Sequence, residues 1–97
     1  MLTAQAEVAT ERPQRYLAQL CKHFAHKVTS EYDEERGRVE FDVGTCELRA
    51  EGNTLLLRAR AEQREGVDRV TRVIATHLER FGARDEIEVR WGEVTEG

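Results

Sequence analysis

The chain has one proline, one serine and two cysteines, no long apolar run and no glycine-rich phosphate loop. Each scarcity excludes something. A single proline beside seven glycines argues against a disordered or low-complexity chain. With Ser30 as the only serine there is no GxSxG nucleophile elbow. Neither GxGxxG nor GxxxxGK[ST] occurs, so nucleotide phosphates have no cradle of those kinds. No segment approaches the roughly 18 consecutive apolar residues of a membrane-spanning helix. The opening stretch Met1–Glu7 lacks the basic and apolar blocks of a secretory signal. The chain is therefore expected to be cytoplasmic, with both thiols reduced.

What is present fits one small core. Ninety-seven residues make a single domain, 1–97, with 39% apolar and 35% charged residues. The tail, 93–97, has no periodicity and is expected to be flexible. The net charge of −4 comes from interleaved acids and bases. No basic stripe suits nucleic acid and no polybasic patch suits a membrane surface. Arg12, Arg15, Lys22 and Lys27 make the first helix basic, while the segment from Asp85 is acidic. That asymmetry would suit a homodimer or another protein partner.

Alternation in Leu2–Val8 reads as a first strand. Thr10 is placed to cap a helix, with Pro13 in its first turn. Leu17, Leu20, Cys21, Phe24 and Val28 form one apolar stripe, so the helix is expected to run to about Lys27. Val28–Tyr32 reads as a short strand. Val39, Phe41 and Val43 alternate with Arg38, Glu40 and Asp42; Cys46, Leu48 and Ala50 alternate with Glu47 and Arg49. Gly44-Thr45 and Gly52-Asn53 read as two-residue hairpin turns. These turns pair Phe41 with Leu48 and Leu48 with Leu57 on one face. On the other they pair Arg38 with Glu51, Glu40 with Arg49 and Glu47 with Arg58. Val67, Val70, Ile74, Leu78 and Phe81 stripe a second helix ending at Gly82. Ile87, Val89 and Trp91 read as the inward side of a last strand. The expected fold is a two-layer α+β sandwich of order β-α-β-β-β-β-α-β. Two helices cover one face of an antiparallel sheet, with TATA-binding-protein-like topology.

The segments Cys21-Lys22-His23-Phe24-Ala25-His26-Lys27, Gly44-Thr45-Cys46-Glu47-Leu48 and His77-Leu78-Glu79-Arg80-Phe81 together resemble the bacterial domain-of-unknown-function family 2218 over nearly the whole chain. Members of that family occur alone, and similar domains adjoin siderophore-interacting flavoprotein reductases. The resemblance implies a loose link to iron handling. It transfers no reductase activity, because this chain has no flavin or nicotinamide phosphate loop.

Two of the three histidines and one cysteine fall within Cys21–Lys27. His23 and His26, three residues apart on a helix, can both reach one ion. The plainer reading is a solvated helix end, where histidine suits the dipole. His77 flanks the second helix as His23 flanks the first. If the helices lie side by side, His23, His77, Tyr16 and Lys27 enclose a polar pocket. The metal candidates are His23, His26 and His77, for a weakly held divalent ion; no other cofactor is expected. Cys21 and Cys46 point inward and read as small hydrophobes. The expected function is a small non-enzymatic binding or accessory module, with iron or siderophore metabolism as its setting. The alternative is a protein-interaction or homo-oligomerisation domain. An enzyme using His23 and His77 as acid and base has no further motif behind it.

Overall fold

The computed structural model describes residues 1–97. Its elements are β1 (Leu2–Ala9), α1 (Pro13–Phe24), β2 (Thr29–Tyr32), β3 (Arg36–Phe41), β4 (Gly44–Glu51), β5 (Thr54–Ala61), α2 (Arg64–Phe81), a 3₁₀ turn (Ala83–Asp85) and β6 (Thr95–Glu96). The strands form one antiparallel sheet in the order β2-β3-β4-β5-β1-β6, with both helices on one face. This is the α+β two-layer arrangement that the stripes require, since each helix offers one apolar face. The TATA-binding-protein-like label rested on element order; the architecture itself is an open six-stranded sheet.

The core is where the stripes meet. Leu17, Leu20, Cys21 and Phe24 from α1, and Val70, Ile74 and Leu78 from α2, are buried against Val8, Val39, Cys46, Leu48, Leu55, Leu57 and Ala59 of the sheet, while Val67 of α2 is buried with Ala4 and Ala61. Burial of each large aliphatic side chain contributes about 1.5–3 kcal/mol.

The second hairpin has the expected register: Glu51 pairs with Thr54, Ala50 with Leu55, and Leu48 with Leu57. Gly52 takes φ +58° in its turn, a conformation glycine adopts without strain. The first hairpin differs. Its turn is Asp42-Val43, and Phe41 pairs with Gly44, Val39 with Cys46 and Gly37 with Leu48. Gly44 belongs to the strand because nothing larger fits there. A Cβ on it would stand 2.5 Å from the Arg60 carbonyl oxygen and 2.9 Å from Ala61 Cβ. The shift moves the partner by an even number of residues, so Val39 still faces the helices. It does replace the charge pairs: Arg38 now faces Glu47, Glu40 faces Thr45, and Arg36 faces Arg49, while Glu47 faces Arg58 as expected.

The ends also differ. Arg12, not Thr10, sits at the N-cap of α1, although the Thr10 hydroxyl accepts a hydrogen bond from the Arg12 N–H at 3.1 Å. α1 stops at Phe24, whose carbonyl accepts from the N–H groups of both Lys27 and Val28. Residues Glu86–Trp91 form no regular strand. Glu86 is left-handed (φ 54°), the Val89 N–H donates to the Glu79 carboxylate at 2.9 Å, and the Trp91 indole donates to the Thr71 carbonyl at 3.1 Å. The sheet is instead extended by Thr95–Glu96, within the tail expected to be flexible.

Candidate functional site

α1 and α2 run antiparallel over the sheet, since Tyr16 meets Asp85 at one end while His23 meets His77 and Phe81 further along. The stripe of α1 places Phe24 against the sheet, its ring 5.2 Å from that of Phe41. His23, one residue earlier, is rotated onto the flank facing α2. On α2, Phe81 and Leu78 follow the core stripe, and His77 sits at its edge.

The result is a ring cluster in the seam. The His23 and His77 centroids are 4.8 Å apart with planes inclined at 45°. Phe81 meets His23 edge-on at 5.5 Å, and Phe24 meets His77 at 5.0 Å. His77 is half-buried; His23 keeps its outer side in water. His77 Nδ1 lies 2.7 Å from the Val73 carbonyl oxygen. A carbonyl only accepts, so Nδ1 carries the proton, and in the neutral ring the lone pair is on Nε2. His23 is held below the ordinary histidine pKa. Packing against its neighbours withdraws water from the charged form, and His77, Lys27, His26 and Arg80 add positive charge nearby.

The sequence-derived residues separate here. His23 and His77 come together. Lys27 and His26 are exposed near the rim and act on His23 through charge alone. Tyr16 is not part of the pocket: it lies two helical turns from His23, about 10 Å along the axis. Its hydroxyl donates to the Asp85 carboxylate, which together with burial and the charge of Asp85 raises the phenol pKa. No three His, Cys, Asp or Glu side chains form a metal-holding group, so the His23, His26 and His77 triad is not assembled. Phe81 and Phe24 complete the cluster. Phe81 could have been read from the sequence, since it lies four residues after His77 on one helix face.

A family model described as an uncharacterized protein conserved in bacteria (DUF2218) matches residues 5–92. The chain belongs to this family. Among solved structures, the DUF2218 domain is similar to PA4090 from Pseudomonas aeruginosa, known from an NMR structure. The two share 32% sequence identity and a TM-score of 0.80, covering 95% of this chain and 96% of that one. No curated protein matches this DUF2218 chain.

Proposed function

We propose that this domain is a small binding module whose working site is the His23–His77 pair, and whose ligand is a late first-row divalent metal ion held with open coordination positions. The supporting observation is the bond from His77 Nδ1 to the Val73 carbonyl in a ring 4.8 Å from His23. Metal-binding histidines commonly donate their other N–H to a carbonyl, which fixes the ring and leaves the second nitrogen for the ion. The separation also fits. With metal–nitrogen bonds of about 2.0 Å meeting at roughly 90–110°, two imidazole centroids lie roughly 4.5–5.2 Å apart. The lowered pKa of His23 keeps its lone pair free at neutral pH.

Two nitrogens make a weak site, so the remaining positions belong to water or to donors on a partner. No carboxylate orients either imidazole and no nucleophile stands in the cluster, which favours binding over catalysis. An iron or siderophore setting is the finer reading, and it draws on the family resemblance. Imidazole suits ferrous iron as it suits zinc, copper and nickel. Ferric iron prefers oxygen donors, which this pair does not supply.

Titration calorimetry with Zn²⁺, Ni²⁺ and, anaerobically, Fe²⁺ tests the reading. Binding is expected to be lost in His23→Ala and in His77→Ala and largely kept in His26→Ala. Loss in His26→Ala alone would move the site to the outer surface of α1. A wild-type protein that binds none of these ions would remove the reading.

A further inference from the structure

Charge is divided unevenly between the helices and the rest of the chain. From Arg12 to Val28 there are Arg12, Arg15, Lys22 and Lys27 and no carboxylate. From Arg64 to Arg84 there are five arginines against Glu65, Asp68 and Glu79. These two segments carry +6 in a chain of net charge −4, which leaves −10 on the sheet, its turns and the termini. The acids of α2 are turned away from the seam or offset. Glu79 accepts from the Val89 N–H at 2.9 Å, on the flank remote from α1. Asp68, three turns earlier on that flank, pairs with Arg64 at 3.2 Å. Glu65 stands in the first turn, where the positive end of the helix offsets it. At about 100° per residue, Arg15 and Lys22 crown α1 opposite its core stripe, and Arg69, Arg72 and Arg80 crown α2. All five are exposed, and none has an ion pair. Lys27 and Arg80 also reach the seam, since both oppose protonation of His23.

We propose that the crests of α1 and α2 form a docking surface for an acidic segment of a partner protein, laid along the seam between them. Charge complementarity selects the occupant. The crests offer unpaired cations, mostly arginines, whose planar forks match carboxylates. The 18 residues of α2 make a ridge about 27 Å long, which about eight extended residues span. Packed helices have axes about 8–10 Å apart, so long side chains from both crests reach one segment between them. Exposed ion pairs are individually weak, but a one-signed surface steers its partner and sets its orientation. Nucleic acid fits this surface less well. The exposed large apolar side chains, Met1 and Tyr32, lie off the crests, so bases find no stacking platform. The negative remainder of the molecule also repels a polyanion that runs past the helix ends. The reading does not rest on a metal at the His23–His77 pair.

The test is fluorescence anisotropy of the full chain in metal-depleted buffer, with labelled octaglutamate, octaglutamine and an oligothymidine of equal length. Octaglutamate is expected to bind saturably at low salt and to weaken at least tenfold as salt is raised to about 0.2 M, where charges are screened beyond roughly 8 Å. Octaglutamine is expected not to bind. Lys22→Glu with Arg80→Glu, and Arg15→Glu with Arg72→Glu, should each weaken octaglutamate at least tenfold. Arg38→Glu with Arg58→Glu makes the same change of net charge on the open sheet face and should leave the affinity within about threefold. A ¹H–¹⁵N NMR titration of the wild type gives a readout that needs no variant to fold. Shifts are expected at the amides of Lys22, Arg72 and Arg80 and not at those of Arg38 and Arg58. The proposal is overturned by an absence of saturable binding, by shifts centred on the sheet, or by equal losses in the sheet-face variant. Oligothymidine binding tighter than octaglutamate would overturn it too. So would self-association that Lys22→Glu with Arg80→Glu abolishes, because a second copy would then be the occupant.

Discussion

A Cβ on Gly37 would stand 2.8 Å from the Sγ of Cys21 and 3.2 Å from Leu17 Cδ2. The first helix therefore rests directly on the backbone of β3, at the residue paired with Leu48. Gly37→Ala forces the helix or the strand to shift, and overpacking of this kind costs about 1–3 kcal/mol. Cys21→Ala on the same chain makes room for the new methyl group. Urea denaturation should show the double variant losing less than the sum of the single losses, by more than about 0.5 kcal/mol. Additive losses would mean that the contact does not govern the spacing.

Both thiols are buried and unbridged. Burial pushes the Cys46 thiol up to about 12, and raises Cys21 as well, where the Ser30 hydroxyl and the Arg38 backbone partly oppose it. Only the thiolate attacks a labelling reagent. Native protein at pH 8 should label slowly at both positions and completely in denaturant. Rapid native labelling of either cysteine would show that it is not held in the core.

Tyr16 is buried and donates to the Asp85 carboxylate, tying α1 to the turn after α2. Tyr16→Phe keeps the ring and removes the bond, at an expected cost of about 1–2 kcal/mol. The raised phenol pKa gives a second signature. Above the unfolded value near 10 the folded state holds more protons than the unfolded one, so stability falls as pH rises through the folded pKa. The alkaline loss measured between pH 9 and 11 should be smaller in Tyr16→Phe than in the wild type.

His23 works in the opposite direction. Its folded pKa lies below the ordinary 6.5, so just below that value the unfolded chain binds the extra proton first. Stability therefore rises with pH between the lowered folded value and 6.5. The Cε1–H resonance of His23 should titrate with a midpoint below 6.5 in NMR, and His77→Gln, which removes a neighbouring positive charge, should raise that midpoint. A His23 midpoint at or above 6.5 would contradict the packing of the ring cluster.

Periodicity carried most of the fold because alternation and helical stripes report which side of an element is buried, and that does not depend on exact pairing. Val39, Cys46 and Leu57 all face the helices although the first hairpin pairs differently from expectation. Gly44 misled because glycine serves two purposes, turning and close approach, and only neighbours distant in sequence, Arg60 and Ala61, decide between them. Ile87 and Trp91 alternate like strand residues, yet their segment packs beside α2 and gives its hydrogen bonds to Glu79 and Thr71. The meeting of His23 and His77 was legible from their flank positions. The exclusion of Tyr16 was not, because Asp85 lies in a turn without periodicity. The opposed Arg36 and Arg49 depend on the corrected register, so the sequence pattern hid them behind a well-paired face.

The strand order β2-β3-β4-β5-β1 makes four strands sequential neighbours, whereas β1 reaches its partner β5 only after half the chain has intervened. Hairpins close small loops quickly, and the entropy of a larger loop must be met before its contacts form. The meander is therefore expected to assemble first and β1 to dock afterwards, between β5 and β6. In folding kinetics, Val8→Ala should mainly speed unfolding, while Leu55→Ala should also slow folding. The reverse pattern would place β1 in the nucleus. The two ends of the sheet would then differ in lifetime as well as position, with the strand that opens the sequence joining late and leaving early, and carrying β6 with it.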